Sequence, residues 1–140
     1  MKSIIVTCLL ISTLMASCQV HWDQASEWTL YSYQGHRLFK IPIDSLKLFD
    51  HQSLKQDSMA AFVKSAKMLD TKAPLVWMGG YVATCNVSGS LRKVELSTYG
   101  GYFYDEKTSS YYQLPAEKTD AWLSFLKNSY LSSFTKNNKQ

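Results

Sequence analysis

The stretch from Leu75 to Leu114 constrains the fold most, because it combines apolar alternation with glycine punctuation in a rhythm that suits strands. Leu75-Val76-Trp77-Met78 is continuously apolar, and Gly79-Gly80 then allows a bulge or bend. Beyond it Tyr81, Ala83, Cys85 and Val87 share one face of a strand. Ser88-Gly89-Ser90 supplies a turn. Val94 and Leu96 next alternate with Lys93, Glu95 and Ser97, which predicts a strand with one wet face. Gly100-Gly101 interrupts the chain again, and Tyr102-Phe103-Tyr104 and Tyr111-Tyr112-Gln113-Leu114 then flank the polar stretch 105–110, which suits a hairpin loop. A segment built this way predicts an antiparallel meander.

The flanking segments add two strands and two helices. Trp28, Leu30 and Ser32 alternate with Thr29, Tyr31 and Tyr33 until Gln34-Gly35, after which Phe39, Ile41 and Ile43 share a face opposite Leu38, Lys40 and Pro42. This predicts a hairpin over Glu27 to Ile43 with Gly35 at its turn, Pro42 lying at an edge or strand end because it cannot donate to a ladder. Leu46 and Phe49 after Asp44-Ser45 suggest a single helical turn. Met59, Phe62, Val63 and Ala66, continued by Leu69, recur at helical spacing, with Asp57 or Ser53 as cap and Lys64 and Lys67 on the polar face. Pro115 opens a closing helix in which Leu123, Leu126 and Tyr130 form a stripe widened by Trp122 and Phe125. The order of elements predicts an α+β domain over residues 27–135. Its antiparallel β-sheet has about six strands, is meander-like, and carries two amphipathic helices packed on one face; residues 136–140 form a polar tail.

The N-terminus sets the address. Met1-Lys2-Ser3 carries one positive charge, and no charge follows from Ile4 to Met15. A transmembrane helix needs about 20 apolar residues, so this run is too short to span and reads as a signal peptide. Met15-Ala16-Ser17-Cys18 resembles the lipobox of bacterial lipoproteins, with Met15 where Leu is usual. That resemblance covers the first eighteen residues. It implies removal of residues 1–17 by cleavage between Ser17 and Cys18, and lipidation of Cys18 as the attachment to the membrane. The alternative is an ordinary secretory signal cleaved near Ala16 or Ser17, with Cys18 left as a thiol. Gln19, following the cysteine, resembles the outer-membrane pattern of enteric lipoproteins, so the expected location is the bacterial cell envelope, at the outer membrane facing the periplasm. Residues 18–26 lack periodicity and read as a tether.

Under that reading Cys8 leaves with the signal, Cys18 is occupied by lipid, and Cys85 is left alone in a compartment that permits disulfides. The fold must then be held by its apolar core, with Cys85 buried in it. The 123 residues from Cys18 onward carry fourteen basic and eleven acidic side chains, a net charge of +3. They are dispersed, the longest basic run being Arg92-Lys93, which argues against a nucleic-acid surface.

No pattern of catalytic or cofactor-binding residues emerges from the sequence. His21, His36 and His51 are not spaced as metal ligands, and Ser88-Gly89-Ser90 is not the Gly-x-Ser-x-Gly elbow of a serine hydrolase. Glu95 with Asp105 or Glu106 could form the carboxylate pair of a glycosidase, but the alternation predicts solvated surface charge. Gly79-Gly80 and Gly100-Gly101 lack the lysine and helix of a phosphate loop. Asn86-Val87-Ser88 matches a glycosylation sequon, which carries no weight behind a bacterial lipobox. What stands out is aromatic density. Tyr102 and Tyr104 alternate with Phe103, and Tyr111 with Tyr112, so one face cannot bury them all. Cross-strand aromatic pairs that only stabilise a hairpin are one reading of this density and a recognition surface is the other; on the second, Tyr99, Tyr102, Tyr104 and Tyr111, with Asp105 and Glu106 from the loop that follows, are the candidate binding surface. The expectation is a non-catalytic domain, without cofactor or metal, that binds another protein in an inhibitor or immunity-type role against a toxin or envelope hydrolase. An envelope glycan or peptidoglycan binder is the alternative, and an unrecognised envelope hydrolase the third.

Overall fold

Ser88-Gly89 is a two-residue turn between two long, fully paired strands. Both residues have positive φ, 51° and 78°, the combination that a two-residue hairpin turn needs to match strand twist. The computed structural model describes residues 19–35, 41–70 and 79–135. In it the turn joins β4 (Gly80–Val87) to β5 (Ser90–Ser97), paired in unbroken register from Val87 opposite Ser90 to Gly80 opposite Ser97. The meander continues into β6 (Tyr102–Asp105) and β7 (Ser110–Gln113). Around it are β1 (Ala25–Gly35), β2 (His51–Ser53) and β3 (Lys67–Met68), giving an antiparallel sheet of seven strands in the order β2-β1-β4-β5-β6-β7-β3. The α+β class and the meander are as expected; the count is seven because two very short edge strands, β2 and β3, are added while the strand expected to end at Ile43 is absent at Ile41–Ile43.

Two helices, α1 (Gln56–Val63) and α2 (Thr119–Phe134), cover the inner face. Met59 and Val63 of α1 and Trp122 and Leu126 of α2 share one core with Leu30, Ala83, Cys85, Val94, Leu96 and Phe103. Each sheet residue in that set sits at alternate positions of its strand, so strand period and helix period meet on a single layer. Phe62 bridges the helices, its ring 5.3 Å from Trp122 and 5.6 Å from Phe125. Lys118, just before α2, donates its ammonium to the Ala61 carbonyl at 2.7 Å.

Several local expectations are corrected. The hairpin over Glu27 to Ile43 does not form: β1 pairs with β4 on one side and β2 on the other, and Ile43 opens a 3-10 turn, Ile43–Leu48. Ile41 and Pro42 are not in a strand; Phe39 lies outside the described residues, as do Leu75–Met78 and 136–140. Proline explains part of the change, since the Pro42 carbonyl accepts from the Ser45 N–H at 2.9 Å and starts the turn that Leu46 buries. β1 itself is bulged at Glu27 (φ 55°), which puts Ala25, Trp28 and Leu30 on the inner face in place of strict alternation. Gln56 repairs the bulge: its side-chain amide accepts from the Trp28 N–H at 2.8 Å and donates to the Trp28 carbonyl at 3.2 Å.

The first helix ends at Val63, short of Ala66 and Leu69, because Lys67–Met68 leaves to pair with Gln113 and Tyr112 at the sheet edge. Its N-cap position is Lys55, and neither Asp57 nor Ser53 caps it by a side-chain hydrogen bond. The wet face expected on β5 is dry. Lys93, Glu95 and Ser97 are all buried, as are Val82 and Thr84 beside them. Lys93 reaches the Ile41 carbonyl, and Tyr33 packs on Phe49 at 5.3 Å, so the segment after Ile41 crosses the outer face.

The stretch read as a tether is also structured from its third residue on. Val20 packs against the core, Trp22–Gln24 forms a 3-10 turn, and β1 begins at Ala25. Trp22 is 3% exposed, its ring edge-on to Phe103 at 4.8 Å and to Tyr112 at 5.1 Å. Cys18 itself lies outside the described residues.

Candidate functional site

The six residues of the candidate binding surface divide between the two ends of the sheet and between exposed and buried positions. Tyr99 stands in the β5–β6 turn and is 67% exposed. The turn is held by Ser97, whose buried Oγ accepts from the N–H groups of Tyr99 and Gly100 at 3.1 and 3.2 Å. Tyr102 follows on β6, half-buried. Its ring folds over Gly100 so closely that a methyl group there would meet ring carbons at 2.6 and 2.7 Å. Gln113 on β7 lies opposite, its amide nitrogen 3.5 Å from the Tyr102 hydroxyl. Tyr104 is buried, with its ring 4.9 Å from that of half-buried Tyr111 across the β6–β7 ladder. On the inner side, Phe103 and Tyr112 stack at 5.1 Å and belong to the core.

Asp105 is not a contact residue. It is 0% exposed and points inward, and it anchors the loop that follows it. Its carboxylate accepts from the Arg92 guanidinium at 2.5 Å, from Thr108 Oγ1 at 2.7 Å and from the Lys107 N–H at 3.3 Å. One charged side chain thus holds β5 and sets the course of the chain through Glu106–Ser109, where Ser109 takes φ 52° to re-enter β7. Glu106 turns to the outer face and pairs with Lys93 at 2.5 Å. Glu95, the other half of the imagined carboxylate pair, is buried. The charges expected in solvent at Glu95 and Asp105 are therefore inside the protein, and those at Arg92 and Lys93 are enclosed with them. Arg92-Lys93 was legible only as a pair of surface cations; that the two point to opposite faces and meet two acids follows from strand alternation once the β5–β6 register is known.

Cys85 is fully buried on the inner face, as expected of a lone thiol. Burial pushes its pKa up to about 12, the Asp105 carboxylate adding to the effect and Arg92 opposing it. Tyr81 and Tyr130, whose rings lie 5.1 Å apart, are also raised, both chiefly by burial. His21 is exposed, 3.9 Å from Asp23, and His51 lies beside Tyr31 at 5.8 Å, while His36 is outside the described residues. Among the described residues no group of three His, Cys, Asp or Glu side chains could hold a metal ion. The surface has shallow grooves, one between the 3-10 segment and the end of α2, lined by Leu48, Phe49, His51 and Phe134. The chain matches no family model, no curated protein and no solved structure.

Proposed function

We propose that this chain is a lipid-anchored protein of the bacterial cell envelope, held through Cys18 at the outer membrane and facing the periplasm. There it acts without catalysis by binding another protein in an inhibitor or immunity-type role. The observation that carries the reading is the tyrosine rim at the β5–β6 end. Tyr99 is largely exposed on a turn stiffened by Ser97, and Tyr102 is braced against Gly100 beside it. Tyrosines on an ordered backbone offer apolar area with a polar tip and have few rotatable bonds to immobilise on contact. Tyr111 extends the surface along the outer face; Tyr104 and Asp105 support it from within. The lipobox-like sequence, with Gln19 after the cysteine, supports the location.

Photocrosslinking from position 99 or 102 in the native envelope tests this reading, with position 48 as an exposed control. One discrete protein adduct from 99 and 102 but not from 48, weakened at 99 by Tyr102→Ala without loss of fold, is the expected result. Retention of the domain by purified peptidoglycan with no protein adduct would overturn protein binding in favour of a glycan. Turnover of an envelope substrate abolished by one side-chain change would overturn both.

A further inference from the structure

The fold leaves almost no chain between the proposed lipid and the body of the domain. An extended chain covers about 3.3–3.6 Å per residue, so the two steps from Cys18 to Val20 reach about 7 Å and the four steps to Trp22 about 14 Å. Val20 packs against the core and Trp22 lies within it. A lipid on Cys18 therefore holds the domain directly against the bilayer.

Strand pairing shows at which end the N-terminal segment enters the sheet. Ala25 sits opposite Val87, and Gln24 accepts from Ser88 Oγ at 2.8 Å. Lys107 of the β6–β7 loop donates to Ser90 Oγ at 2.6 Å. The chain thus enters the sheet, at Gln24–Ala25, at the end that also carries the Ser88-Gly89 turn and the β6–β7 loop. Leu91, immediately after that turn, is 59% exposed. Tyr99 and Tyr102 lie at the opposite end, separated from the Ser88-Gly89 turn by the eight residues of β5, about 25 Å of extended chain, and from the β6–β7 loop by the four residues of β6, about 13 Å.

We infer that the end bearing the Ser88-Gly89 turn, Leu91 and Lys107 rests on the lipid surface, and that Tyr99 and Tyr102 are thereby presented away from it. The inference rests on lipidation of Cys18. Its occupant is the bilayer surface, chosen by the length of the connection and by the exposed leucine beside the turn, whose side chain can enter the headgroup region. The domain is then a fixed spacer in place of a tethered body, and its tyrosine rim stands about a domain's length above the membrane.

The test uses the full lipidated protein in phosphatidylethanolamine and phosphatidylglycerol vesicles, with a fluorophore on Leu91→Cys, Lys107→Cys or Tyr99→Cys. Cys85 is buried and does not compete for the label. Headgroup spin-labelled lipid should quench positions 91 and 107 at least about threefold more than position 99. A twelve-residue Gly-Ser insertion between Cys18 and Gln19, with an r.m.s. span of about 20 Å, should bring the ratio towards one. Equal quenching without the insertion, or stronger quenching at 99, in protein whose intact mass shows the lipid would overturn the orientation and leave the anchor standing. An intact mass without lipid, in a chain that stays soluble, would overturn the anchor and the orientation together.

Discussion

Replacing Trp22 by alanine separates a folded N-terminus from a tether. A tryptophan side chain buries about 150–250 Å², and at about 25 cal/mol per Å² full burial contributes about 4–6 kcal/mol as an upper bound. Trp22 is nearly fully buried but its indole N–H has no hydrogen-bond partner among the described residues, which offsets about 1–3 kcal/mol of that gain. The expected loss for Trp22→Ala is therefore about 3 kcal/mol, at the lower end of large-aromatic truncations in cores. Trp22→Phe should cost less than half as much, because it keeps an edge toward Phe103 and Tyr112 and removes the orphan donor. Urea unfolding of the domain carrying Cys18→Ser, followed by far-UV circular dichroism, reads this as a midpoint lowered by about 1 M or more. A tether residue would change stability by no more than about 0.5 kcal/mol. A loss below about 1 kcal/mol for Trp22→Ala would refute the placement of this segment in the core, and with it the short connection to the membrane.

Asp105→Ala leaves Arg92 enclosed without its carboxylate and should cost about 3–5 kcal/mol, whereas the double variant Arg92→Met/Asp105→Leu should recover most of that; equal losses in denaturant titration would show that packing, not charge, is what Asp105 supplies. Gly101→Ala would set a methyl 2.7 Å from Thr119 Oγ1 at the start of α2 and should cost about 1–3 kcal/mol, read as a lowered melting temperature; an unchanged one would mean that the helix start yields freely. For Cys85 the folded pKa of about 12 lies above the ordinary thiol value, so the native state keeps its proton where the unfolded chain loses it. Stability is then full below about pH 8.5 and falls as pH rises toward 12, by up to about 1.4 kcal/mol per unit. Between pH 9 and 10, below the ordinary tyrosine value of about 10 at which unfolded Tyr81 and Tyr130 ionise, Cys85→Ala should show a visibly flatter decline, and identical slopes would refute the burial effect.

The sequence made the meander and the inner face legible because those positions obey a local rule. Tyr81, Ala83, Cys85, Val87, Val94 and Leu96 alternate within their own strands and all fall in one core. Met59, Val63, Trp122 and Leu126 do the same at helical spacing. The local turn at Pro42 aside, the misreadings share a different cause, in that each depends on a partner distant in the chain. The bulge at Glu27 is tolerable because Gln56 supplies the missing ladder bonds 28 residues away. Trp22 has no periodic neighbours and finds its place against Trp28, Phe103 and Tyr112. Helix α1 stops where β7 offers Lys67–Met68 an edge to pair with, and tertiary pairing overrides local propensity there.

The buried charges on β5 and β6 bear most directly on function. Alternating polar residues on a strand signal only that one face differs from the other, and they say nothing of what covers it. Here the segment after Ile41 lies over that face, and Lys93 is satisfied by a carbonyl of that segment and by Glu106, so the polar alternation marks an internal network. A surface assembled from sequence as six neighbouring contact residues thereby becomes a rim with a frame. Tyr99, Tyr102 and Tyr111 remain as side chains a partner could touch, while Tyr104, Asp105 and the Lys93–Glu106 pair fix the strands that carry them. Rigidity in that frame favours binding, since a surface already ordered has little entropy left to lose. The same ordering reaches Trp22 and Val20 at the start of the chain. In the orientation proposed above, a partner of Tyr99 and Tyr102 should approach from the side away from the bilayer.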